Sequence, residues 1–377
     1  MHVTLHLTNA CNMRCAYCYV DHGNAKAMAL ETAKKATDLA ISVSAGKPAG
    51  IVFFGGEPLL YKELIYRTVA YADEAGEREG ASLYCKLTTN GLLLNEAFLD
   101  YADSAGIYIA LSHDGAREAH DAHRRDWEGR GTFDRVSEAA IRLLKHQPSA
   151  PVMMTVNPDT VMYYAKSVDT LFQMGFCYII CSLNYAGRWD GAAWEELGKQ
   201  YEALSRWYVA HTKREDKFYL SPFESKIASH IQGEDWCKDR CELGMKQVSV
   251  HPSGMLYPCV QFAGDAPYAI GSVEAGIDRQ RQAALFNASR TEQAECRNCG
   301  IRRRCLNTCG CLNKQVTGRL DRVAPSLCMH ERILLPIADR TAEKLYKKRS
   351  ALFIQKHYNE LYPIVSMVEE RTSKAGK

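Results

Sequence analysis

Apolar and polar positions along the first half of the chain alternate between two periods. Short runs with strand character, His2–Leu7, Gly50–Phe54, Ser82–Leu87, Ile107–Ser112, Val152–Val156 and Cys177–Cys181, are separated by stretches with helical spacing. Those stretches are Leu30–Val43, Tyr61–Ala75, Glu96–Ala105, Thr132–Lys145 and Val161–Met174. Strand and helix in strict alternation predict a parallel sheet, because each crossover must return over a sheet face. Six such units fall short of the eight that close a barrel, so an open partial barrel and a doubly wound sheet both fit. In either architecture functional groups gather at the C-terminal ends of the strands. Residues 192–230 read as helix and connection, and 237–328 show little periodicity. From His330 to Glu370 the pattern is helical again. The α/β chain thus divides into residues 1–225, an irregular module 226–330 and a helical segment 331–377.

Composition narrows the function classes. The 47 Lys and Arg nearly balance the 44 Asp and Glu, for a net charge of +3, which gives no argument for a nucleic-acid partner. No apolar run approaches the roughly 18 residues of a membrane helix, and the N-terminus is too short and mixed for a signal peptide. A cytoplasmic protein is expected. The departure from the ordinary is 15 cysteines, which a reducing compartment would not hold as disulfides. Cys11, Cys15 and Cys18 follow the first strand, while nine lie between Cys237 and Cys328. An irregular, cysteine-dense module suits a fold organised around bound metal. Cys85 and Cys177 read as buried small hydrophobes, and Cys181 as a strand-end residue facing the site.

Three thiols at Cys-x3-Cys-x2-Cys spacing, with Tyr17 before the last, can wrap one compact centre. No fourth Cys or nearby His closes it as structural zinc would require, whereas an iron–sulfur cube can leave one iron open. Here the chain resembles the radical S-adenosylmethionine (SAM) superfamily. Gly55-Gly56-Glu57-Pro58 follows the second strand, Thr89-Asn90-Gly91 the third and Ser112-His113-Asp114-Gly115 the fourth. The resemblance implies a partial (β/α)6 barrel like an incomplete TIM barrel. It makes Cys11, Cys15 and Cys18 the ligands of a SAM-binding 4Fe-4S cluster. It also lines the SAM pocket with Tyr17, Gly55, Gly56, Glu57, Pro58, Thr89, Asn90, Ser112, Asp114, Arg124 and Asn157. Arg124 is placed to reach the SAM carboxylate. The implied chemistry is one-electron cleavage of SAM to a 5′-deoxyadenosyl radical, which takes hydrogen from an unactivated carbon.

The second cysteine group reads Cys241-x12-Gly254-x4-Cys259, then Cys296-x2-Cys299-x5-Cys305-x3-Cys309, then Cys328. It is similar to the SPASM extension of the same superfamily, which holds two auxiliary 4Fe-4S clusters. Two zinc-ribbon-like sites are the competing reading. By resemblance Cys241, Cys259 and Cys309, with Cys237 as fourth, hold the first auxiliary cluster. Cys296, Cys299, Cys305 and Cys328 hold the second, and Cys311 is an alternative to Cys309. Three clusters and SAM are therefore expected, in an oxygen-sensitive enzyme.

Enzymes with this module act mostly on peptides or protein side chains. Anaerobic sulfatase-maturating enzymes carry an Asp directly after the equivalent of Cys259, where this chain has Val260. Valine cannot accept a proton, so the preferred expectation is a maturase of a ribosomally made, Cys-rich precursor peptide, joining side chains most simply by a thioether. Its partners would be that peptide and an external one-electron reductant of flavodoxin or ferredoxin type. The first strand opens at the N-terminus, so leader recognition is expected in the second module, the C-terminal helices or a separate leader-binding protein. The basic Lys344–Arg349 stretch is first a solvated helix face and second a surface for an acidic leader. A non-radical electron carrier or zinc-binding adaptor is the reading from another class.

Overall fold

The computed structural model describes residues 1–22, 26–233 and 241–366. Six strands alternate with helices from the N-terminus: β1 (His2–His6), α1 (Leu30–Ser44), β2 (Ala49–Phe54), α2 (Lys62–Glu79), β3 (Leu83–Thr89) and α3 (Glu96–Ser104). There follow β4 (Ile107–Ser112), α4 (Arg117–His123), α5 (Phe133–His146), β5 (Pro151–Val156), α6 (Tyr164–Gln173) and β6 (Tyr178–Leu183). Each of β1–β5 pairs in parallel with its successor in sequence. One face of these strands carries Val3, Leu5, Ile51, Phe53, Leu87, Ile109, Leu111 and Val152, all fully buried. Alternate positions on the other face include Tyr108 at 60% exposure. Period-two patterning thus puts the helices on one face and leaves the other for the site. Side-chain caps set two helix starts: Asn95 Oδ1 accepts from Phe98 N at 3.0 Å, and Asp190 Oδ1 accepts from Ala193 N at 2.8 Å.

The sheet extends beyond the six predicted strands. β7 (Tyr219–Leu220) follows the long α7 (Gly191–Lys213) and pairs with β6, before α8 (Ser221–Gln232). Inside the cysteine-rich segment, β8 (Gln247–Val250) pairs in parallel with β1, and β9 (Leu256–Tyr257) returns antiparallel to it. The nine-stranded order is β7-β6-β5-β4-β3-β2-β1-β8-β9. The segment expected to lack regular structure therefore grows out of the barrel's first edge. A four-residue strand leaves too short a periodic signal, and its partner is more than 240 residues away. α4 was likewise outside the expected elements.

Short elements continue with the hairpin β10 (Gly271–Ser272) and β11 (Gly276–Ile277), then α9 (Arg279–Ser289) and α10 (Gly310–Thr317). The C-terminal helix α11 (Pro325–Lys347) begins five residues before the expected start, with Pro325 in its first turn where a missing N–H costs nothing. It ends where Arg349 takes φ +48°, and α12 (Ala351–Tyr358) follows. Helices α8 and α11 run across the expected boundaries at 225/226 and 330/331.

Fastenings from α11 are polar and buried. Tyr185 and Tyr201 hydroxyls lie 2.7 and 2.6 Å from the two ring nitrogens of His330. Lys226 on α8 meets Glu331 at 2.7 Å, both nearly inaccessible. Arg304 donates to Asp339 on α11 and to Ser229 Oγ on α8. A removed partner in such a buried pair would leave a stranded charge, typically costing about 3–5 kcal/mol.

Candidate functional site: three thiols on a loop and two further thiol groups

The loop after β1 is held by its backbone. Parallel register sets His6 beside Phe54, so residues 7–10 run alongside Gly55 and Gly56. Leu7 N donates to Phe54 O at 2.9 Å, Gly56 N to Thr8 O at 2.8 Å and Glu57 N to Ala10 O at 2.8 Å. Glycine is required here. Gly55 has φ +132°, and a Cβ would stand 2.3 Å from Thr8 O. At Gly56 it would stand 2.0 Å from Ala10 O. On the opposite side Arg14 N donates to Arg125 O, Ala16 N to His123 O and Trp127 Nε1 to Cys11 O at 2.7 Å. The Gly-Gly-Glu-Pro segment and residues 123–127 thus grip the cysteine loop from two sides. Trp127 and Asn12 belong to this site, and no sequence signal marked them, because Trp127 meets Cys11 across 116 residues and Asn12 meets Asn90 across 78.

Glu57 is fully buried and caps two neighbouring strand ends. Its carboxylate accepts from Leu59 N at 3.0 Å, Thr89 Oγ1 at 2.8 Å and Asn90 N at 2.8 Å. Burial pushes its acid up to about 7 against these hydrogen bonds. Pro58 starts the turn that follows and is buried. Asn90 passes the connection on, its Nδ2 donating to Asn12 Oδ1 at 2.8 Å and toward Cys11 Sγ at 3.6 Å. Asp114 is a second hub. Oδ2 accepts from Tyr17 OH at 2.5 Å and lies 3.0 Å from Arg124 Nε, while Oδ1 accepts from Thr155 N at 2.9 Å. Arg124 forms a buried ion pair with Asp114 and lies over the Tyr17 ring at 5.5 Å. Ser112 is the last residue of β4 and is half-buried.

Does this framework fit a cluster with SAM? Cys11 Sγ accepts from Met13 N at 3.4 Å as well as from Asn90, the arrangement a thiolate wants. Burial nevertheless pushes the Cys11 thiol up to about 12, so a bare thiolate is disfavoured and a bound metal would supply the missing charge. Beside Tyr17 opens a cavity of about 940 Å³, also lined by Ala16, Asn157, Asn184 and Arg188. Asn157 is 2% exposed, its Oδ1 accepts from Asn184 Nδ2 at 2.9 Å, and its own Nδ2 has no partner. An orphaned buried donor on a cavity wall is what a polar ligand would satisfy. The residues fit the group.

The second half gathers its thiols into two sets. Gly254, at φ +84°, turns the β8–β9 hairpin, and Cys259 follows two residues after β9. Cys241 lies against Cys309, and Cys259 against Cys311. Cys309 Sγ and Cys311 Sγ are 3.4 Å apart. Leu243, Tyr257, Phe262, Ala269 and Leu320 pack around this set as a small core of their own. The other set is Cys296, Cys299, Cys305 and Cys328. Arg332, one turn after Cys328 on α11, donates to Cys328 Sγ at 3.5 Å and to Cys299 Sγ at 3.7 Å. Cys296 neighbours Cys299 and Cys328, and Cys305 neighbours Cys328. Among the described residues no three His, Cys, Asp or Glu side chains converge as one metal ion would demand. A cube-shaped cluster spreads its sulfurs more widely. Cys237 lies outside the described residues.

Tyr19, directly after Cys18, stands within electrostatic reach of Cys18, Cys259 and Cys311, which puts the first auxiliary set beside the N-terminal loop. Of the remaining cysteines, Cys85 is buried in β3 at 6% exposure, as expected, and Cys177 is only half-buried. Cys181 does not face the site. It shares the helix-covered face of β6 with Ile179 and Leu183, its Sγ 3.9 Å from Met154 Sδ. The period of two sends Ser182, not Cys181, to the open face.

Residues 5–170 match the family model of the radical SAM superfamily. With the thiol loop, the glycine grip and the orphaned pocket donor in place, that stretch is a radical SAM domain, and the protein is an enzyme. The chain is 25% identical over 323 residues to the serine-type anaerobic sulfatase-maturating enzyme of Klebsiella aerogenes, covering 80% of this chain and 77% of that one. It is 28% identical over 326 residues to the mycofactocin maturase MftC of Mycobacterium ulcerans, covering 81% and 82%. Native anSMEcpe with bound AdoMet shares the fold at a TM-score of 0.80 and 18% identity, covering 92% of this chain and 99% of that one. Streptococcus suis SuiB bound to precursor peptide SuiA shares it at 0.62 and 14%, covering 87% and 75%. Among the described residues, no helix is long and apolar enough to cross a membrane.

Proposed function

We propose that this protein is a cytoplasmic radical SAM maturase that cross-links the side chains of a ribosomally made, Cys-rich precursor peptide, most simply by a thioether. Cys11, Cys15 and Cys18 would hold the SAM-binding 4Fe-4S cluster, with Asn157 and the strand-end residues Gly55, Gly56, Thr89, Asn90 and Ser112 around SAM. Bound there, cluster and SAM supply one-electron cleavage chemistry that delivers a hydrogen-abstracting 5′-deoxyadenosyl radical. The chain's own residues do the positioning. Glu57 and Asp114 lock the loop, Tyr17 and Arg124 close its inner side, and the cavity wall excludes water around the reacting atoms. Residues 226–330 would form the auxiliary-cluster module, between the partial barrel 1–225 and the C-terminal helices 331–377. Two auxiliary 4Fe-4S clusters on its thiol sets would take up the electron released when the new bond forms. The electron for SAM would come from a flavodoxin- or ferredoxin-type reductant, and a separate protein could present the leader.

The observation that carries the choice of reaction is Val260. It follows Cys259 where a sulfatase maturase has its Asp, and the next carboxylate along the chain, Asp265, is held by Lys314 at 2.5 Å. An aldehyde-forming oxidation at this position would lack its base. The second reading, formylglycine formation on a sulfatase, is favoured by the higher TM-score to anSMEcpe than to SuiB. Mass spectrometry on peptides encoded beside the gene, after anaerobic turnover, separates the two. Loss of two hydrogens with a Cys thiol that no longer alkylates and no aldehyde formed supports the cross-link, since oxidation of Ser to formylglycine also removes two hydrogens. Conversion of Cys or Ser to an aldehyde in a sulfatase-derived peptide would overturn it.

A further inference from the structure

The chain's formal net charge is only +3, yet residues 290–304 and 319–332 hold eight arginines, no lysine and four carboxylates. These two segments surround the second thiol set, Cys296, Cys299, Cys305 and Cys328. We propose that this arginine rim is the docking surface for an acidic one-electron carrier protein. This rests on the cluster-binding reading above and deepens it, by saying where the carrier seats.

Burial separates the two thiol sets. In the first, Cys259 and Cys311 are 5% and 7% exposed. In the second only Cys305 is buried, while Cys296, Cys299 and Cys328 are half-buried and reach the surface. Arg332 is exposed and bridges the set, donating to Cys328 Sγ and Cys299 Sγ. Arg297 lies between Cys296 and Cys299, with Arg302 and Arg303 between Cys299 and Cys305, all three exposed. Arg322 is brought alongside by Gln293, whose side chain donates to Asp321 O and accepts from Val323 N at 3.2 Å. Three of the four carboxylates are committed. Glu292 meets Arg302 and Asp321 meets Arg319, each at 2.6 Å, and Glu331 is buried against Lys226. The outer surface therefore keeps an excess of positive charge. Met329, beside Cys328 on α11 and 44% exposed, gives it an apolar centre.

The chemistry of the rim fits one kind of partner. A guanidinium matches a carboxylate in a planar fork and is more weakly hydrated than an ammonium. Electron-transfer encounters use small interfaces whose formation is steered by opposite charge. Electron transfer also weakens steeply with distance, so a carrier gains most by docking over the thiols that reach the surface. An acidic peptide would feel the same charge. The cavity beside Tyr17, however, is lined by residues 16–17, 123 and 157–199, so a peptide held at the rim is not thereby held at the cavity. In the proposed step, one electron released when the new bond forms leaves the second auxiliary cluster for the carrier. The cluster returns to its oxidised state, the carrier is reduced by one electron, and a flavin carrier takes its proton from solvent.

The test uses the full chain, reconstituted anaerobically, with an acidic flavodoxin as the probe. Calorimetric titration with oxidised flavodoxin should show binding that weakens as salt is raised. Arg297→Glu combined with Arg322→Glu should weaken it about tenfold or more and flatten the salt dependence. The milder Arg297→Gln with Arg322→Gln should fall between, and equal iron content and thermal midpoints show that the fold is kept. Arg14→Glu, beside the N-terminal thiols, probes the rival surface and should change neither quantity. Stopped flow supplies a second readout in the chain with Cys11, Cys15 and Cys18 all changed to Ala. Reduced and freed of excess dithionite, it should pass single electrons to flavodoxin, and the paired Glu changes should slow this by a similar factor. Binding that ignores the paired Glu changes, an absence of salt-sensitive binding in the unmutated protein, or a larger loss in Arg14→Glu would overturn the proposal. So would peptides encoded beside the gene that bind and lose affinity in the Glu pair while flavodoxin does not. Failure of the cluster reading would show separately, as absent iron and absent SAM cleavage in the unmutated protein.

Discussion

The cysteine loop after β1 and the thiol sets of residues 241–328 are built by opposite means. The loop is gripped by carbonyl and N–H groups at the end of β2 and of residues 123–127, so its shape is fixed before any metal arrives. The later sets have little regular structure and a small apolar core of seven buried residues. On the proposed cluster-binding reading, their stability would come largely from what they bind and from the ion pairs tying them to α8 and α11. The difference suits a division of labour. A centre that directs a radical needs a preorganised position, while one that passes electrons needs closure and a dry shell.

The comparison breaks most sharply at Gly56. Gly56→Ala drives a Cβ to 2.0 Å from Ala10 O and must displace the loop, so loss of SAM cleavage by about 100-fold or more is expected, since misplacement by about 1 Å can cost that much. Auxiliary iron should be untouched, and equal loss at both places would dissolve the distinction. Asp114→Asn comes next. It leaves Arg124 buried without its counter-charge, for about 3–5 kcal/mol of stability by the usual cost of a broken buried pair. Thermal unfolding under argon should register it, and an unchanged midpoint would show that the hub does not hold the loop.

A smaller effect is carried by pH. Glu57 ionises near 7 when folded, above its ordinary value of 4.5. Its contribution is therefore fully present below about pH 4.5 and is lost as the pH rises toward and through 7, at up to about 1.4 kcal/mol per pH unit. Comparing unfolding midpoints of wild type and Glu57→Gln from pH 5 to 7.5 isolates this slope, which the variant should lack. The smallest change is expected from Arg332→Met. Removing a cationic donor to Cys328 and Cys299 should make the second auxiliary couple more negative in an EPR-monitored redox titration while leaving the N-terminal cluster's potential in place.

Much of this arrangement was legible from residue order. Six strand–helix units are periodic enough to read, and Cys11, Cys15, Cys18 with Gly55-Gly56-Glu57-Pro58 are contiguous motifs. What escaped depends on contacts between distant segments. β8 is four residues long and pairs with a strand at the opposite end of the chain. Trp127 reaches Cys11 because residues 123–127 run beside residues 13–16, which no local spacing reveals. Cys181 failed through register, since one position along β6 separates the open face from the covered one. The grouping of Cys311 needed α10 to be placed, because a Cys-x-Cys pair alone does not show whether its two sulfurs share a centre.

The most direct test of the account is a paired assay of SAM cleavage and peptide modification in the dithionite-reduced, reconstituted enzyme. The account predicts that Cys15→Ala abolishes formation of 5′-deoxyadenosine, whereas Cys299→Ala retains much of it and yields no cross-linked peptide. Cleavage that survives Cys15→Ala, or cross-linked product from Cys299→Ala at the wild-type level, would contradict it.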